Sequence, residues 1–145
     1  MSIQTVNSFS TGIRYSSTLQ ARSTQSTITP RIDDINVILG FQSLILDEVR
    51  AVHGPLYANS TFAVITSRFD AGIGDIEYTA QDIVYIYPGS LRQWKLLVEG
   101  DAGGSTVQAM EGLMRKCQEE VGGVTERMGV GWMWDGREIK RVEEE

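Results

Sequence analysis

Cys117 and His53 are each the sole residue of their type in the chain. As a pair they would make a nucleophile and its base, which requires a partly exposed thiol beside the ring. Cys117 instead belongs to a run of Val107, Met110, Met114, Cys117 and Val121. Steps of three and four residues put that run on one face of a helix. There the thiol packs as a small hydrophobe. His53 falls where a helix is expected to end, and a cation there interacts well with the negative terminus. One cysteine forms no internal disulfide, and one cysteine with one histidine supplies no cysteine- or histidine-rich zinc site. A serine triad would have to use His53, and no Gly-x-Ser-x-Gly elbow accompanies it.

A second candidate is the glycine corner in "VEGDAGGSTVQAMEGLM", Val98 to Met114. A strand end, a glycine-rich turn and a helix start are the layout of a phosphate loop. The corner lacks the lysine of a P-loop and the Gly-x-Gly-x-x-Gly spacing of a dinucleotide site. Glu99 and Asp101 would also repel a phosphate. At 4 Å that repulsion is about 4 kcal/mol near a surface, against a helix-end attraction of up to ~2 kcal/mol. A structural role uses every residue: Ser105 caps a helix, Gln108 completes a capping box, and the glycines turn the chain.

Carboxylates are plentiful, among them Asp47, Glu48, Asp70, Asp75, Glu77 and Asp82. "DAGIGD", Asp70–Asp75, lacks the alternating ligands and closing glutamate of a calcium loop. The aromatic residues Tyr78, Tyr85, Tyr87, Trp94, Trp132 and Trp134 all fall on expected strands. They serve a core first. Tyr85, Tyr87 and Trp94 with Asp82 could alternatively line a pocket for a flat ligand, with Asp82 as acid or base.

These residues need elements to hold them. Thr29-Pro30 has the form of a helix start, and Gly54-Pro55 of a stop. Between them Ile38, Phe41, Ile45, Val49 and Val52 make an apolar face. "STFAVITSRF", Ser60–Phe69, reads as a strand. "IEYTAQDIVYIYPGS" follows, apolar on both faces from Ile83 to Tyr87, which suits a central strand. In "LRQWKLLVEG", Trp94, Leu96 and Val98 are expected on one face. The second helix is expected to stop at Gly122-Gly123. In "GVGWMWDGREIKRV", Asp135-Gly136 signals a two-residue hairpin turn. That turn sets Trp134 opposite Arg137 and Trp132 opposite Ile139. Trp132, Trp134, Arg137 and Ile139 then share a face, where Arg and Trp are the residues most enriched at binding hot spots.

The expected fold is α+β: two helices packed on one face of a mainly antiparallel sheet, in the order β-α-β-β-β-α-β-β, ending in a C-terminal β-hairpin. Residues 29–145 form its single domain. Residues 1–28 are basic and rich in Ser and Thr. Ile13, Tyr15, Leu19 and Ala21 alternate with polar residues there, which predicts a strand. The same composition also fits a tail or an organelle transit peptide.

The net charge is −6, and residues 1–32 hold three arginines and no acid, leaving an acidic body. Such a body repels phosphate backbones, so no nucleic-acid partner is expected. Apolar runs fall far short of the ~20 residues that span a bilayer, so no membrane partner is expected either. With no catalytic motif, the chain reads as a small non-catalytic interaction protein. It is expected to self-associate as a homo-oligomer, or bind a protein partner, through the terminal hairpin. The alternative is a cofactor-independent enzyme or small-molecule carrier using Asp82, Tyr85, Tyr87 and Trp94. Neither reading calls for a cofactor or metal. A cytoplasmic location is expected, with organelle import and secretion of a processed form left open.

Overall fold

Ile38, Phe41, Ile45, Val49 and Val52 do line one side of a helix, α1, Ile32–His53. Ile45 and Val49 are fully covered, and Ile38 and Phe41 pack beside them. The computed structural model describes residues 32–87 and 89–143. The expected leading strand, the helix start at Thr29-Pro30 and the boundary at residue 28 lie outside the described residues. Asp33 and Asp34 occupy the first turn of α1 and Arg50 the last, each sign matched to the helix dipole, with His53 at the helix end. Gly54-Pro55 ends α1, and the chain continues as a 3-10 turn, Gly54–Tyr57.

Three strands follow: β1 (Phe62–Asp70), β2 (Ile76–Tyr85) and β3 (Trp94–Glu99). They form an antiparallel sheet in the order β1-β2-β3. The Asp70–Asp75 segment is the β1–β2 turn, closed by Ala71 N–H to Asp75 O and by Gly72 N–H to the Asp70 carboxylate. Helix α2, Thr106–Thr125, then crosses the sheet. A separate two-stranded ribbon closes the described chain: β4 (Trp132–Trp134) and β5 (Ile139–Arg141).

The core lies where the helices meet one face of the sheet. It combines Ile45 and Val49 of α1, Phe62 of β1, Ala80 and Val84 of β2, Val98 of β3, and Ala109, Met110, Leu113 and Cys117 of α2. Ala80 and Val84 share a face because strand side chains alternate. Burying a residue such as Leu113 completely contributes about 1.5–3 kcal/mol. The α+β architecture matches the expectation, and Val37–Glu145 is one compact unit.

Two local expectations are corrected. Helix α2 does not stop at Gly122-Gly123 but runs on to Thr125. Val124 is buried, and Glu126 N–H still bonds Gly122 O, so packing outweighs glycine's poor helix propensity. Trp94, Leu96 and Val98 do not share a face. Asp82 pairs with Val98, but the next residue, Ile83, pairs with Leu96. The extra residue, Leu97, is a β-bulge that reverses the alternation. Val98 and Leu97 thus pack on the core, while Trp94 and Leu96 pair with Tyr85 and Ile83 on the opposite face.

Candidate functional site

Asp82 lies between Ala80 and Val84 on β2, so alternation turns its carboxyl toward the helices. It is 0 % exposed, and among the described residues neither carboxylate oxygen has a hydrogen-bond partner. Its cross-strand neighbours on β1 and β3 are Val64 and Val98, which offer none. Burial raises its pKa to about 7, helped by the charge of Glu120 on α2; the Ile83 amide and Arg50 act weakly the other way. The Ile83 amide is close but does not reach hydrogen-bonding geometry, since both oxygens remain unpartnered.

Glu48 of α1 repeats the pattern. Its Oε2 is buried without a partner, and desolvation pushes its carboxyl up, with the Gln118 side chain opposing. Cys117 shares the space, 1 % exposed. Burial, then the charges of Asp82, Glu120 and Glu48, push its thiol up to about 12. A thiol so protected is no nucleophile in the closed protein. His53 is not beside it in a catalytic pair; its Nε2 meets Glu120 Oε2 at 3.0 Å and joins the end of α1 to α2. Glu120 follows Cys117 by three residues, so helical spacing alone puts both on one side of α2. Among the described residues no group of three or more His, Cys, Asp or Glu is placed to hold a metal ion.

The pocket of Asp82, Tyr85, Tyr87 and Trp94 is not assembled. Asp82 and Tyr85 are three residues apart on one strand and face opposite sides of the sheet. Tyr85 pairs with Trp94 on the side away from the core. Trp94 is 51 % exposed, and Tyr87 lies beyond β2, in a turn closed by Ser90 N–H to Tyr87 O.

The glycine corner is occupied by its own structure. Gly103 N–H donates to Tyr78 O, Gly104 N–H to Gln108 Oε1, and Gln108 N–H to Ser105 Oγ. The returned bond of the capping box lands on Gly104 rather than on Ser105. At Gly100 a Cβ would stand 2.7 Å from the Leu113 backbone nitrogen, so this glycine is what lets α2 lie against the strand end. The corner starts a helix.

The terminal ribbon differs from expectation in register. Trp134 pairs with Ile139, Met133 with Lys140 and Trp132 with Arg141. Asp135–Glu138 therefore forms a four-residue loop, and Arg137 is in that loop rather than opposite Trp134. The Asp135 carboxylate accepts from the amides of Arg137 and Glu138 and lies 2.8 Å from Lys140 Nζ. Lys140, then the two amides, hold its pKa well below the usual carboxylate range. With the Asp135 N–H to Glu138 O bond at 3.3 Å, these bonds centre the turn on Gly136-Arg137, one residue later than expected. A shift of two keeps the faces, so Trp132, Trp134, Ile139 and Arg141 now share one. Arg141 stands opposite Trp132, the place expected of Ile139, its guanidinium 5.9 Å from the Trp132 ring centroid.

The two tryptophans have different surroundings. Trp134 Nε1–H donates to Val52 O at 2.8 Å, and a Cβ at Gly136 would lie 2.6 Å from Leu56 Cγ, so the loop end sits against the end of α1. Trp132 is 39 % exposed, and Val130, Met133 and Val142 are exposed beside it. Comparison with protein families, with curated proteins and with solved structures finds no match to this chain.

Proposed function

We propose that this chain is a non-catalytic interaction protein that pairs with a second copy of itself through the outer edge of β5. The observation that carries this reading is a two-stranded ribbon, fixed at its loop end and, among the described residues, unpaired along its outer edge. Two strands alone are marginal in water, and three or more give independent stability. β5 pairs only with β4 among the described residues, which leaves a row of backbone donors and acceptors open.

Charge sets the pairing. Lys140 and Arg141 are followed in the sequence by Val142 and then Glu143, Glu144 and Glu145. Basic residues on an edge ordinarily discourage pairing. Here an antiparallel copy centred on Val142 brings Arg141 of one chain opposite Glu143 of the other, twice by symmetry. Such a two-fold contact must be self-complementary, and a basic step beside an acidic one meets that condition. Opposite charges directly across strands contribute about 0.2–1 kcal/mol each. Exposed Trp132 and Val142 supply apolar area alongside.

The alternative, a ligand pocket, loses its support because the sheet separates Asp82 from Tyr85 and Trp94. The test is mass in solution over a concentration series. The wild type is expected as a dimer, and Val142→Asp, which sets two like charges across the axis, as a monomer. Val142 lies beyond β5 and is 52 % exposed, so the fold should tolerate the change. A monomeric wild type at every concentration overturns the proposal.

A further inference from the structure

Three carboxyl groups border the seam between β2 and the helix pair: Asp82 is fully covered, Glu48 is half-buried, and the Glu120 side chain is 40 % exposed at its edge. Asp82 comes from β2, Glu48 from α1 and Glu120 from α2. Facing them are Arg50 and His53 from α1 and the Cys117 thiol from α2, while β1 and β3 contribute only Val64 and Val98. Arg50 is half exposed and lies 3.7 Å from Asp47, so it is shared with the surface. His53 is engaged by Glu120. Among the described residues Asp82 has no partner at either oxygen, and Glu48 has none at Oε2. A native interior seldom leaves such groups unsatisfied without a role.

We propose that Asp82 is a proton-dependent latch: it holds the α1–α2–β2 seam shut when protonated, and its ionisation lets that seam open and expose Cys117. A neutral carboxyl is tolerated in an apolar seam, whereas an unpaired carboxylate is not. Opening hydrates the carboxylate, so ionisation favours the open form. His53–Glu120 is the contact between the two helix ends that this opening must release.

The sign follows from linkage. Asp82 titrates near 7 in the closed seam and near 3.8 when solvated. The closed form therefore holds a proton that the open form loses over that interval. Opening rises as pH increases, by up to about tenfold per pH unit for one proton, and levels off above about 7.

Cys117 is the reporter, being the chain's sole cysteine and buried in the same seam. The full-length protein is labelled with 4,4′-dithiodipyridine at pH 5.0 to 8.5, each rate divided by that of the urea-unfolded chain at the same pH. The relative rate is expected to climb at least tenfold from pH 5 to pH 7 and then flatten. Asp82→Asn should abolish the climb. His53→Gln should keep it, since the latch is the Asp82 carboxyl and not the imidazole bonded to Glu120. Should Asp82→Asn not fold, Glu120→Gln serves: without that charge the climb should end at lower pH. A relative rate independent of pH in the wild type overturns the proposal. So does a climb that survives in Asp82→Asn, disappears in His53→Gln or is unmoved in Glu120→Gln.

Discussion

The indole nitrogen of Trp134 donates to the carbonyl of Val52 over 2.8 Å, a contact joining residues 82 positions apart. It uses a carbonyl in the last turn of α1, where no further helical amide follows to donate to it. The bond fixes where the ribbon stands relative to α1. Trp134→Phe keeps the ring and removes the donor. Its expected cost is about 0.5–1.5 kcal/mol in urea unfolding. Amide exchange in β4 and β5 should quicken more than in β2.

Gly100 makes a sharper prediction. A methyl there meets the Leu113 backbone at 2.7–2.9 Å, and backbone atoms do not move aside cheaply. Gly100→Ala should destabilise by roughly 1–3 kcal/mol, the range for overpacking. Gly123→Ala, in the same chain but with open space around it, should not destabilise and should favour α2 by up to ~1 kcal/mol. Thermal unfolding of the two variants separates a glycine required by packing from one that is not.

Asp82 predicts a stability difference that depends on pH. With its pKa at about 7 against an ordinary 3.8, the folded chain retains a proton that the unfolded chain releases. Its contribution is fully present at low pH and is lost as pH rises from about 4 through 7, at no more than about 1.4 kcal/mol per unit. Asp82→Val replaces the unpaired carboxyl with a residue suited to a strand. Denaturant unfolding should show the variant more stable than wild type at pH 8, by about 1–3 kcal/mol, and closer to it at pH 5. A gap that is constant with pH would contradict this origin.

Much of the scaffold is legible in the residues. The three- and four-residue steps of α1 identify the side that is buried, and Ser105 with Gln108 marks the start of α2. Misreadings arise where tertiary contacts decide. The bulge at Leu97 depends on how β2 and β3 align, and nothing inside "WKLLVE" specifies it. The ribbon register turns on the Asp135 carboxylate choosing the amides of Arg137 and Glu138, which moves Ile139 into the place expected of Arg137 and Arg141 into that of Ile139. The burial of Asp82 is legible: Ala80 and Val84, two residues to either side, belong to the apolar face of a central strand. Glu48 is different, since it borders the α1 stripe and only the position of Gln118 and the sheet covers its Oε2.

Self-association through β5 is tested most directly by charge exchange. Mass is measured by sedimentation for wild type, Glu143→Lys, and the double variant Arg141→Glu with Glu143→Lys. The wild type and the double variant should show twice the 16.1 kDa chain mass, and Glu143→Lys alone a single chain. A wild type that stays at 16.1 kDa, or a Glu143→Lys variant that remains a dimer, would contradict the proposed edge pairing.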